Sequence, residues 1–180
     1  MNEIGLHSYC PSKITTHYSE YGNFIVGKYC SIGDNVQIFL GGNHRMDWIS
    51  QHPITPIFGE PNKEGHPSTN GDVVIGNDVW IGSSAVIMSG VHVEDGAVIG
   101  AYSVVRRSIR PYEIHIGNPS FFMGLRFCNA EIEFLLQIKW WNWPIENIKE
   151  AKDILLSSNF AELKVYAQKN WEALGLNKCQ

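Results

Sequence analysis

From residue 75 the chain can be cut into pieces of six, IGNDVW, IGSSAV, IMSGVH, VEDGAV, IGAYSV and VRRSIR, each opening on Ile or Val. The fifth residues of these pieces are Val79, Ala85, Val91, Ala97, Ser103 and Ile109, small or β-branched throughout, and glycine takes second place at Gly76, Gly82 and Gly100. A shorter run of the same form, VGKYCS followed by IGDNVQ, begins at Val26. An amphipathic helix would repeat at three and four. A period of six marks a parallel β-helix, in which each hexad supplies a short strand and a turn and three hexads close a coil. Ile75 is then expected beneath Val93, Ile81 beneath Ile99 and Ile87 beneath Val105, so that aliphatic columns fill a prism. Glycines suit corners that need positive φ or close backbone approach, and no coil buries its apolar edge alone, so neighbours must stack.

Past Pro119 the period ends and helical signals are read instead. Asn129 is expected to cap EIEFLLQIKWW, Pro144 to sit in the first turn of PIENIKEAKDILLSS, and Asn159 with Glu162 to form a capping box before FAELKVYAQKNWEAL. Ile145, Ile148 and Leu155, then Phe160, Leu163, Ala167, Trp171 and Leu174, give each later helix one apolar face, and Gly175 is a stop. The tryptophans of KWWNWP read as packing residues at a helix junction. The expected organisation is a mainly β chain: a β-helix over 1–119 with an extruded loop at about 42–71, and a helical extension over 120–180 packed on it.

That loop is where the chemistry is sought. Between Ile38 and Ile75 the rhythm lapses, and long irregular segments in compact domains are often functional. His44 follows a Gly41-Gly42-Asn43 turn directly after the last regular hexad, so a rigid coil would hold its ring at the mouth of a cleft. Histidine is the side chain best matched to proton transfer near neutral pH. His52 and His66 lie further from the scaffold among prolines and rank lower, while His92 and His115 read as surface residues of the coils. Asp47 is an acceptor-side candidate or a local cap. The seven histidines include no H-E-x-x-H and no His pair four or five apart, so no metal is expected.

Composition narrows the function further. With 180 residues, 44% apolar and 18% charged, the chain holds one ordinary core and is not disordered. A net charge of -4 without basic runs argues against nucleic acid and anionic membranes as partners. Cys10, Cys30, Cys128 and Cys179 are scattered and read as reduced thiols. No secretory signal or bilayer-length apolar run is evident, so the expected compartment is the cytoplasm.

The hexads, HRMDWIS after a Gly-rich turn, GDVVIGNDVWIGSSAVIMSGV, the GNP at 117–119 and IKWWNWPIENIKEAK together resemble the xenobiotic acetyltransferases of the hexapeptide-repeat superfamily, over roughly Phe24 to Trp171. The resemblance implies a left-handed β-helix, a homotrimer with active sites between subunits, and acetyl transfer from acetyl-CoA to an acceptor hydroxyl. It implies that His44 is the general base, that pantetheine lies along the coils near Ser83 and Ala101, and that Arg106 and Arg107 meet the CoA phosphates. Where the family runs Gly-Asn-Pro-Ala-Lys-x-Ile-Arg, this chain has Phe121 and Gly124 at the two basic positions, leaving the nucleotide end to Arg106 and Arg107, with or without Arg126. The family's Ser-Thr-Tyr-Pro-Phe is here Ser50-Gln51-His52-Pro53-Ile54, and the segment before the first hexads is shorter than in the chloramphenicol enzymes, which counts against an antibiotic and makes a saccharide hydroxyl, as in surface-polysaccharide acetylation, at least as good an expectation for the acceptor. Two other readings of the scaffold remain: a non-catalytic β-helix used for binding or assembly, and a zinc enzyme like carbonic anhydrase.

Overall fold

The computed structural model describes residues 2–10 and 14–176, with side chains from residue 3 onward. Cys179 lies outside the described residues, whereas Cys10, Cys30 and Cys128 are not joined in disulfides. The chain divides into two compact units, 1–126 and 127–180.

In the first unit, β1 (Asn2–Ile4), β2 (Thr15–His17), β3 (Phe24–Val26), β4 (Ser31–Ile32) and β5 (Gln37–Phe39) precede the long loop. After it come β6 (Val73–Ile75), β7 (Trp80–Ile81), β8 (Val86–Ile87), β9 (His92–Val93), β10 (Val98–Ile99), β11 (Val104–Val105), β12 (Glu113–Ile116) and β13 (Phe121–Leu125). They form three sheets in the orders β1-β3-β6-β9, β13-β12-β10-β7-β4 and β11-β8-β5-β2, parallel except for the β12/β13 pair. Ile75 faces Val93, Ile81 faces Ile99 and Ile87 faces Val105, as the six-residue period requires.

First and fifth hexad positions both point inward. Val79, Ala85, Val91, Ala97, Ser103 and Ile109 are buried along with Ile75, Ile81, Ile87, Val93, Ile99 and Val105. Each fully buried aliphatic side chain in these columns contributes roughly 1.5–3 kcal/mol. Ser103 is the one polar member, and its hydroxyl accepts the Gly117 N–H at 3.0 Å.

The glycines at the second hexad position serve close approach, not positive φ, whereas Gly90 and Gly96 at the fourth position are left-handed. A Cβ on Gly82 would meet the Ala101 nitrogen at 2.4 Å, and one on Gly27 the Gly76 carbonyl oxygen at 2.4 Å. Left-handed backbone falls instead on other corner residues, among them Asn35, Ser84 and Tyr102, which succeed one another at the same corner. Another corner is cross-braced by side chains: Asn77 accepts the Lys28 N–H at 2.9 Å and donates to Asp95 through its own N–H and amide.

Two parts of this unit depart from the expectation. The six-residue period is first readable at Val26, yet β1 and β2 build an earlier coil whose Ile4 faces Val26 and whose Thr16 faces Ile38. Its register step is twenty-two residues instead of eighteen, because a left-handed Tyr18 and a 3₁₀ turn over Ser19–Tyr21 lengthen the corner. Helical structure was also expected directly after Pro119, and the division at that residue. Instead Phe121–Leu125 returns antiparallel against β12 with a bulge at Met123, and the division falls after Arg126. Exposed β-formers at Phe121 and Phe122 suit such an edge strand.

The second unit holds α1 (Asn129–Ile138), α2 (Ile145–Leu155) and α3 (Phe160–Lys169). Cys128, not Asn129, occupies the first cap, and its N–H donates to the Glu131 carboxylate at 3.0 Å. α1 stops before the tryptophans because Lys139 turns left-handed. Trp141 and Trp143 are buried, and the Trp143 indole donates to the Ile138 carbonyl at 2.9 Å, in keeping with a packing role. The Asn159 side chain accepts the Glu162 N–H at 3.1 Å, one half of the expected capping box, while the Asn159 N–H donates to the Ser157 hydroxyl at 3.1 Å instead of to Glu162. α2 buries Ala151 with Ile148 and Leu155 half-buried, but Ile145, expected on that face, is exposed. α3 buries Leu163 and Ala167 and ends before Leu174, which is buried in the turn leading to a left-handed Gly175. Among the described residues no helix is long and apolar enough to cross a membrane.

Candidate active site

The long loop leaves the prism at the corner after β5 and returns at β6. Its two arms are riveted together at once: Asn43 and Ser68 exchange backbone hydrogen bonds at 3.0 and 2.8 Å, and the Thr69 hydroxyl donates to the Leu40 carbonyl at 2.6 Å. Both arms are also tied to the next coil, since the Asn43 amide and the Asn70 N–H donate to the buried Ser89 hydroxyl at 3.3 and 3.2 Å. His44 is the residue after this clamp, so its Cα inherits the rigidity of the scaffold.

The ring is fixed as well. His44 Nδ1 lies 2.7 Å from the Gln51 carbonyl oxygen. A carbonyl only accepts, so Nδ1 carries the proton and, in the neutral ring, Nε2 is the basic nitrogen. His66 Nε2 reaches the same oxygen at 3.1 Å, and the two rings meet edge to face with centroids 4.7 Å apart. His66, ranked below His44 from sequence, is buried.

A cleft of about 680 Å³ opens beside His44 and is lined by Asp47, Gln51, Met88, Ser89 and Arg106 among others. Arg106 also borders a second hollow of about 510 Å³, with Arg107, His115, Ser120, Phe121 and Phe122. His44, Asp47 and Arg106 are thus brought to one cleft, and Arg107 to the hollow next to it. His115 is not the surface residue expected: it lies on β12, half-buried, with Nε2 3.0 Å from the Glu113 carboxylate. Burial pushes the Glu113 carboxyl up, but hydrogen bonds from His115 and from the Arg110 backbone and guanidinium outweigh it and hold the pKa below the ordinary value.

Asp47 faces Arg45, whose Nε donates to Oδ1 at 2.7 Å while a terminal nitrogen grips the second oxygen. That hydrogen-bonded pair lowers the Asp47 pKa to about 2. Asp47 therefore stays ionised and is not a proton donor at neutral pH.

Ser83 and Ala101 stand apart. They occupy a different corner, between β7 and β8 and between β10 and β11, where they stack one coil above the other, exposed, with Tyr102 donating to the Ser83 carbonyl at 3.0 Å. They are not among the residues that line the two hollows. Arg126 is not free to serve a nucleotide either. It donates to Asp78 at 3.2 Å and to the Gly96 carbonyl at 2.7 Å, and its guanidinium lies over the Tyr112 ring. Asp78 in turn is pushed up by burial, against the pull of Arg126. Among the described residues no three His, Cys, Asp or Glu side chains converge to hold a metal ion.

The architecture is a prism of stacked hexads with a histidine-bearing loop extruded from one corner. The family model described as bacterial transferase hexapeptide (six repeats) matches residues 72–107. A probable macrolide acetyltransferase of Lysinibacillus sphaericus is 45% identical over 84% of this chain and 89% of its own length. A chloramphenicol acetyltransferase of Escherichia coli is 40% identical over 87% of this chain and 78% of its own, and a virginiamycin A acetyltransferase of Staphylococcus aureus 37% identical over 89% and 80%. The chain belongs to the xenobiotic acetyltransferase family of the hexapeptide-repeat superfamily. It is an acyltransferase, and its prism is the left-handed parallel β-helix of that family.

Proposed function

We propose that this protein transfers an acetyl group from acetyl-CoA to a hydroxyl of a small, multifunctional acceptor, with His44 as the general base. The observation that carries this reading is the 2.7 Å contact between His44 Nδ1 and the Gln51 carbonyl, which leaves Nε2 basic beside a cleft large enough for an acceptor. A thioester is already activated, so orientation and removal of one proton suffice. Nε2 takes the hydroxyl proton as the acceptor oxygen bonds to the acetyl carbon. The C–S bond then breaks, and the imidazolium returns the proton to sulfur, giving the ester and free CoA thiol.

Arg106 and Arg107 suit the phosphates of the donor, because guanidinium forks bind phosphate bidentately. Ser83 and Ala101 stand on a different corner from His44, an arrangement that suits a donor held along the coils of one copy and presented to His44 of another, as in a homotrimer with sites between subunits. The names of the relatives favour an antibiotic hydroxyl over a saccharide as acceptor.

The test is release of CoA thiol from acetyl-CoA across a panel of macrolides, chloramphenicol, streptogramins, amino sugars and oligosaccharides. Turnover with a hydroxyl acceptor is expected, falling at least ~10²-fold in His44→Ala. Unchanged turnover in that variant rejects the base. Absence of both turnover and any calorimetric binding of acetyl-CoA would favour a non-catalytic module.

A further inference from the structure

Of the residues from 42 to 71, His66 alone is buried, at 5% exposure. Apolar side chains that would ordinarily anchor such a loop are out in solvent: Ile49, Ile54, Ile57 and Phe58 are all exposed. The loop has instead put an imidazole inside, and that imidazole touches the candidate base. We propose that His66 is a positioning residue for His44, holding the Gln51 carbonyl where it fixes the His44 tautomer; the proposal rests on His44 being the base.

The geometry is a shared acceptor. The Gln51 carbonyl has two lone pairs and receives His44 Nδ1 at 2.7 Å and His66 Nε2 at 3.1 Å. Gln51 belongs to an exposed stretch outside any strand, so no ladder fixes that oxygen. His66, by contrast, is held on several sides. Its backbone N–H donates to the Lys63 carbonyl at 3.0 Å, and its ring stacks on Trp48 with centroids 5.6 Å apart. Trp48 is itself held by Lys63 Nζ at 5.0 Å and the Arg45 guanidinium at 5.2 Å from its ring centre.

The chain of support therefore runs from Trp48 to His66 to the Gln51 oxygen to His44 Nδ1. Without a fixed acceptor at Nδ1, a neutral imidazole is free to carry its proton on Nε2, which leaves the wrong nitrogen to face the acceptor. An orienting partner that sets the tautomer of a catalytic histidine is worth orders of magnitude in rate although it never meets substrate.

The experiment uses the full-length protein with ¹⁵N-labelled histidine. His44 resonances are assigned by their loss in His44→Ala, and the ring-nitrogen shifts report which nitrogen is protonated. The wild type is expected to show His44 protonated at Nδ1 in the neutral form. In His66→Ala a substantial Nε2–H population is expected, with kcat lower by about tenfold or more and KM for acetyl-CoA unchanged. His66→Gln keeps an N–H donor for the Gln51 carbonyl, and is expected to restore the tautomer and much of kcat. It also serves if the alanine variant fails to fold.

His44 remaining wholly Nδ1-protonated in His66→Ala would overturn the proposal, whether or not kcat fell, as would a glutamine variant no better than alanine. Retained turnover in His44→Ala would instead reject the base itself. The two failures are separable, because the tautomer is read without any turnover.

Discussion

Val26 lies opposite Ile75 in a parallel ladder although 49 residues separate them, whereas Ile75 lies opposite Val93 after only eighteen. The surplus of 31 residues is accommodated without a slip in register, since Ile32 faces Ile81 and Ile38 faces Ile87 on the other two sheets. The loop that carries His44 is therefore an insertion into a scaffold that closes on either side of it.

Excising residues 42–72 should leave a folded prism. The cut restores the six-residue step from Ile38 to Ile75 and moves Gly41 to the place that left-handed Gly90 holds one coil on. A cooperative melt and an unchanged β signature in circular dichroism are expected, with Tm lowered by loss of the Asp72 bonds to Asn23 and acetyl transfer abolished. A chain without a cooperative melt would mean that the loop is needed for the prism to fold.

The columns of this prism were legible because the apolar period repeats without fault from Ile75 to Val105. The first coil was not, since its corner is four residues longer and its end-coil residues, such as Ile4, remain exposed and carry no strong apolar signal. His44 was legible from its place beside the scaffold. His66 was not: twenty-two residues from His44 with no motif between, it is joined to it only through a backbone oxygen, and backbone acceptors leave no mark in sequence. Arg126 shows the converse, a basic residue a few positions past the GNP of 117–119 whose forks are spent on Asp78 and Gly96.

Arg106→Ala and Arg107→Ala should each raise KM for acetyl-CoA more than for its analogue lacking the 3′-phosphate. Arg106 borders both hollows and Arg107 only the one of about 510 Å³, so Arg106→Ala should also raise KM for the acceptor. Steady-state kinetics with both donors checks this, and equal increases for the two donors would remove the phosphate role.

Phe121→Lys should lower KM for acetyl-CoA several-fold at low salt. Phe121 is 63% exposed on an edge strand, so replacing it sacrifices little packing, and an ammonium there joins Arg106 and Arg107 around the same hollow. The gain should fade as ionic strength rises and the Debye length shrinks to about 8 Å near physiological salt. A salt-independent fall would remove the electrostatic explanation, and a rise in KM would mean that the phenylalanine itself contributes to donor binding.

Glu113→Gln should lower stability at neutral pH and make no difference in acid. The carboxylate is buried between Arg110, whose Nε donates at 2.8 Å, and His115 at 3.0 Å. Its folded pKa lies below the ordinary glutamate value, because those hydrogen bonds outweigh the burial that opposes them. The folded state therefore binds fewer protons than the unfolded one between the two pKa values. It follows that stability from this group is complete above the unfolded pKa and is lost as pH falls through the folded one. Tm measured from neutral pH down through the carboxylate range should show wild type and variant converging at the acid end. Curves that stay parallel would mean that the loss comes from packing, with the charge on Glu113 immaterial.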